Sequence, residues 1–236
     1  MNKENVLFGV IGLLLGCIVG FLFANNLNQS EAQIAAVPQA PIPAMSNPAQ
    51  QNQTLPPDHP QVGGANAKPV DCARLPEVDE TVKNAESKPG DFKAQSDVGD
   101  GYYQFQCFDE AAKFYERAVK IRPDSVETLV KAGNAQFDAE NYEAAEKWYS
   151  AALAKTPDDV NVRTDLGLSF YLRNPPDVDR AIKEYKISLE KSPNHELSLQ
   201  NLVVALREKG DTNAAQEAID KLTKINPNNP LLASIK

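Results

Sequence analysis

Histidine, cysteine, methionine and tryptophan are scarce: two, three, two and one among 236 residues. No CxxC, CxxCH or HExxH spacing occurs, so no cluster stands ready to build a zinc, haem or other metal site. Nucleophilic catalysis needs a Ser or Cys beside a His base. His59 and His195, however, fall in segments read below as a linker and a turn between repeats. A glycine-rich loop ending in Lys, which would cradle phosphates, is also missing. Basic residues are in the minority, 24 Lys+Arg against 32 Asp+Glu, which excludes a strongly basic nucleic-acid binder. With three Cys the chain is no disulfide-dense mini-protein either. These absences predict a protein that is not an enzyme and has no catalytic, cofactor or metal-binding residues.

The apolar residues are unevenly placed. Residues 6–24 read VLFGVIGLLLGCIVGFLFA, 19 residues without a charge. At about 1.5 Å per residue this run is as long as a bilayer core is thick, and it predicts one transmembrane helix. The leader, residues 1–5, carries the amine and Lys3, and no Lys or Arg follows the run until Lys68. The positive-inside bias therefore puts the N-terminus in the cytoplasm and the rest outside, in the periplasm if the source is bacterial. Two rival readings are a cleaved signal peptide and a lipoprotein signal. Leu22-Phe23-Ala24 suits cleavage badly, and the apolar run continues past Cys17, the residue that lipidation of Leu14-Leu15-Gly16-Cys17 would modify. Gly12, Gly16 and Gly20 share one helix face, which reads either as a seam for a homodimer or as the ordinary frequency of glycine in membrane helices.

Residues 25–71 hold eight Pro, seven Gln and four charged residues. Such a composition buries too little apolar surface to offset chain ordering and predicts a disordered linker. From Cys72 onward the chain carries 22 Lys+Arg and 28 Asp+Glu, about −6 in net charge. That balance disfavours phosphate backbones and anionic lipid, and suits a basic or neutral polypeptide partner.

A period then emerges. Pro89, Pro123, Pro157, Pro193 and Pro227 are spaced by 34 or 36 residues. Gly99, Gly133 and Gly167 recur in step with them, as do Ala111, Ala145, Ala181 and Ala215, with Tyr115, Tyr149 and Tyr185 four residues after the first three alanines. The pattern resembles the tetratricopeptide repeat, a 34-residue helix-turn-helix unit. The units are 92–125, 126–159, 160–195 and 196–229, preceded by a capping helix segment at 72–91 and followed by a short cap at 230–236. The predicted fold is thus an all-α solenoid behind a membrane helix and a linker. Small residues let paired helices approach, and aromatics fill the space between units. The third unit carries two extra residues near Pro175-Pro176, expected to lengthen its turn, and the fourth has Val203 where the others have Gly. Leu231, Leu232 and Ile235 form a short end, which reads equally as leaving part of the last apolar face exposed, and so favouring self-association, or as a short capping turn. Trp148 is expected to pack rather than recognise.

The resemblance implies that the first helix of each unit lines a concave groove for partner polypeptides. Carried onto this chain, the inward positions include Tyr103, Asn134, Phe137, Leu168, Tyr171 and Arg207, together with Asp100 and Lys131. Tyr103, Phe137 and Tyr171 repeat every 34 residues and read equally as a ligand-anchoring ladder or as packing. The Lys/Asn/Arg carboxylate clamp of chaperone-binding members is absent, because Asp97 and Asp100 occupy the first unit. The layout of one membrane helix plus repeats resembles proteins that assist cytochrome c maturation, chaperone clients beside the protein translocon, or coordinate envelope machinery. Its implied function is a membrane-anchored scaffold or assembly factor. The alternative is a lipid-anchored factor, lipidated at Cys17, for envelope or outer-membrane cargo.

Cys72 and Cys107 both fall on the predicted outer side, where a disulfide is permitted. A bond would pin the capping segment to the first unit's inter-helix turn and contribute about 3 kcal/mol in the chain-entropy model. Two unpaired thiols are the alternative.

Overall fold

The computed structural model describes residues 71–235. The predicted membrane helix with Gly12, Gly16, Cys17 and Gly20, and the linker apart from Asp71, lie outside the described residues. Among the described residues no helix is long and apolar enough to cross a membrane. What is described is all helical: α1 (Pro76–Ser87), α2 (Phe92–Gln104), α3 (Phe108–Ile121), α4 (Val126–Asp138), α5 (Tyr142–Leu153), α6 (Val160–Leu172), α7 (Val178–Lys191), α8 (Glu196–Lys209), α9 (Thr212–Ile225) and α10 (Pro230–Ser234).

Several helices start where a short polar side chain takes an orphan amide. Asp91, Ser125 and Asp159 cap α2, α4 and α6 through the amides of Ala94, Thr128 and Val162, and Asp177 and Asp211 cap α7 and α9 likewise. The inter-helix turns close on one recurring backbone bond: Cys107 N–H to Tyr102 O, Asn141 N–H to Gln136 O and Asp211 N–H to Leu206 O, at 2.8–2.9 Å. In the third unit Asp177 N–H donates to Phe170 O at 2.8 Å. The two extra residues therefore loop out, at the cis Asn174–Pro175 bond, without breaking the closure.

Helix pairs pack glycine against tyrosine. A Cβ built on Gly99, Gly133 or Gly167 would fall 2.5–2.6 Å from the ring of Tyr115, Tyr149 or Tyr185 respectively, so only glycine fits. The fourth unit exchanges both partners: Val203 is wholly buried, and Ile219 stands in the tyrosine's place, packed against the same core. Volume lost from the ring is restored by the valine, a swap that cores tolerate. Trp148 packs on the core edge, with the Lys147 ammonium 4.4 Å from its ring centre.

Both ends are closed. At the front, α1 lays Val78, Val82 and Ala85 near Val98, Tyr102 and Phe114, and Gln95 donates to Ala85 O at 2.9 Å. Gly101 faces Val78 so closely that a Cβ there would be 2.8 Å from its Cγ1. The structure joins Cys72 to Cys107, with Cα atoms 5.6 Å apart. At the rear the short end forms a capping turn rather than an exposed face. Leu231 and Leu232 of α10 are buried, and Asn229 ties the segment down by accepting from Gln200 and donating to Glu196. Among the described residues the one large apolar side chain classed as exposed is Ile121. The end therefore supplies no apolar patch for self-association.

Candidate partner-binding groove

The first helices α2, α4 and the start of α6 enclose an open cavity of about 690 Å³. Asp100, Tyr103 and Gln104 line it from α2, Val126, Glu127, Val130, Lys131 and Asn134 from α4, and Asp159, Asn161 and Val162 from the entry to α6. Tyr115 forms part of its floor. A ridge of helical i, i+4 spacing explains the α4 wall, because Val126, Val130 and Asn134 succeed one another along one face.

Its polar groups are already ordered. Lys131 Nζ lies 3.0 Å from Asp100 Oδ1 and 3.0 Å from Glu127 Oε1. Burial opposes the ammonium, but the hydrogen bonds and charges of the two carboxylates outweigh it and hold Lys131 above its ordinary value. From below, the Tyr115 hydroxyl donates to Asp100 Oδ1 at 2.8 Å. Burial, followed by that same bond, pushes the Tyr115 phenol well above the usual tyrosine range. In the next unit Tyr149 donates to Asn134 Oδ1 at 2.9 Å. Tyr185 finds no such acceptor, since Leu168 stands at the corresponding place, and its hydroxyl has no hydrogen-bond partner among the described residues.

Of the eight inward positions named from the resemblance, the structure brings Asp100, Tyr103, Lys131 and Asn134 into the cavity. Phe137, Leu168 and Tyr171 are buried in the core and line no part of it, while Arg207 is exposed on α8, away from it. The aromatic series joins successive units. Tyr103 donates to Asp138 Oδ2 of the next unit at 2.5 Å, and Tyr171 donates to Glu208 in the same register. Phe137 sits between them, and Leu172, at the acceptor's place, matches it with an apolar side chain. Glu127, Val126, Val130 and Asn161 were not foreseen as groove residues. One helical turn back from Lys131 and Asn134 along the same face lie Glu127 and Val130, and a second turn reaches Val126.

The structure also brings a Ser to a His. Ser198 Oγ is 2.7 Å from His195 Nδ1, and Thr164 and Ser188 complete a hydroxyl cluster at 2.7 and 2.8 Å from Ser198. Asn161 Oδ1, 3.1 Å from Nε2, fixes the proton there and leaves Nδ1 as acceptor. Ser198 is wholly buried, so its oxygen meets no substrate. The cluster arises because Ser188 takes the place of Ala118 and Ala152, and His195 that of the capping Asp or Ser. It ties α6, α7 and α8 together.

Tetratricopeptide-repeat models match residues 106–164 and 198–229. Those residues therefore carry tetratricopeptide repeats. Among solved structures the chain is similar to MamA, at 20% identity over 62% of this chain and 85% of that one, with a TM-score of 0.58. A MamA chain from Desulfovibrio magneticus RS-1, beginning at residue 41, matches at 17% identity over 64% of this chain and 84% of its own, with a TM-score of 0.57. At such identities the likeness is one of fold. No curated protein matches the sequence. The repeats support a scaffold for protein–protein contacts, and the cavity is an open part of it.

Proposed function

We propose that the protein is a membrane-anchored scaffold of the bacterial cell envelope that holds partner polypeptides in the groove of its first three repeats. The observation that carries this reading is the cavity of about 690 Å³, walled by valines and floored by fixed polar groups in a solenoid closed at both ends. Binding rather than turnover suits its residues. The Ser198 hydroxyl beside His195 is wholly buried. The anchor is residues 6–24, single-pass with the N-terminus inside, and the disulfide suits an oxidising compartment beyond the membrane. The lipid-anchored alternative and a role in cytochrome c maturation keep the same groove and change its setting. An intact Met1 in the mature protein supports the spanning helix, and a diacylated Cys17 supports the rival.

A photo-crosslinking amino acid at Val130, in the groove, compared with one at Lys83 on α1, tests the site in intact membranes. A defined set of polypeptides captured from position 130 alone is expected. Identical capture from both positions removes the groove as the site.

A further inference from the structure

We infer, on the groove reading above, that the occupant is an extended polypeptide segment presenting a basic side chain, which Asp100 and Glu127 receive in exchange for Lys131. The charges lining the cavity are Asp100, Glu127 and Asp159 against Lys131 alone. Their depths differ: the Lys131 side chain is 31% exposed, against 47% for Asp100 and 78% for Glu127. The cation lies underneath, neutralised by two carboxylates, and what an incoming segment meets is negative.

An acidic segment would have to break both contacts of Lys131 to gain one, while facing three carboxylates. A basic one replaces like with like. Asp100 keeps its aim through the exchange because Tyr115, a buried side chain, holds Oδ1 from below. Glu127, the most exposed of the three side chains, can turn toward the incoming group, and the displaced Lys131 turns out to water. A guanidinium, planar and with donors on two edges, can bridge two carboxylates, and its aliphatic stem suits the walls of Val126, Val130 and Val162. The chemistry that fits is therefore Arg or Lys flanked by small apolar residues.

The test selects from a phage-displayed random heptapeptide library on the full-length chain solubilised in detergent. It compares wild type with Glu127→Lys, with Glu77→Lys on α1 as a control of equal charge change, and with Gln104→Trp to fill the cavity rim. All three positions tolerate substitution in folded protein, since Glu127, Glu77 and Gln104 are exposed, and circular dichroism verifies each variant. Wild type and Glu77→Lys are expected to enrich Arg and Lys over Asp and Glu, with affinity falling about tenfold or more in Glu127→Lys. Peptides that Gln104→Trp excludes but that show no basic preference, or are unaffected by Glu127→Lys, overturn the charge assignment and spare the groove. Failure to select any peptide, or selection untouched by Gln104→Trp, overturns both.

Discussion

The ring of Tyr149 fills the space that a side chain at position 133 would need, with a Cβ built on Gly133 falling 2.5 Å from its Cε1. The relationship repeats at Gly99–Tyr115 and Gly167–Tyr185, and is replaced by Val203 and Ile219 in the fourth unit. The first three repeats thus settle their helix spacing through one close contact each.

Gly133→Val is expected to lower stability by about 2–3 kcal/mol through overpacking. Combining it with Tyr149→Ile, which copies the fourth unit, recovers much of that loss. Denaturant melts of the single and double variants measure the coupling, and additive losses would show that the pair is not the spacing element.

Tyr103→Phe and Tyr171→Phe each remove a hydroxyl that reaches an acid in the following unit, at a cost of about 1 kcal/mol. Phe137→Tyr introduces a hydroxyl beside Leu172, with no acceptor in that register, and destabilises as well. Thermal unfolding of the three variants is the measurement; a stabilising Phe137→Tyr would contradict the pairing.

His195 answers to pH through burial, which lowers its pKa from the ordinary 6.5. The unfolded chain then binds the proton more readily than the folded one. Its contribution is present above about pH 6.5 and lost as pH falls through the folded value. Melting temperatures between pH 5 and 8 should decline on the acid side. His195→Asn, neutral and a good N-cap, should flatten that decline; an unchanged slope would assign it to other groups.

The Cys72–Cys107 bond closes a loop of 35 residues, contributing about 3–4 kcal/mol in the chain-entropy model. Replacing both by Ser should speed amide hydrogen exchange in α1 while leaving α8 and α9 unchanged. Alkylation of Cys72 or Cys107 in unreduced protein would refute the bond.

Glu140 stands at a φ of 61° between α4 and α5, a backbone conformation that suits glycine. Glu140→Gly is expected to raise stability by up to about 1 kcal/mol, read from the midpoint of a urea melt.

The helical units were legible because their signals are local. A proline ends one helix, a short polar side chain starts the next, and small residues recur where helices cross. Depth was not legible. Tyr103, Phe137 and Tyr171 share one repeat position, yet Tyr103 lines the cavity while the other two are closed over by neighbouring units. Likewise His195 and Ser198 are three residues apart in sequence, but Thr164 and Ser188, which complete their cluster, come from other helices.

The sequence by itself therefore determined the repeat, its helix pairs and its closing turns, since each depends on side chains within one or two helical turns. Only the tertiary structure decided which inward positions stay open and which are sealed. Exposure of a side chain on a repeat is set by residues 30 or more positions away, as Asp138 is from Tyr103 and Asp100 from Lys131. Spacing along the chain carries no measure of that distance.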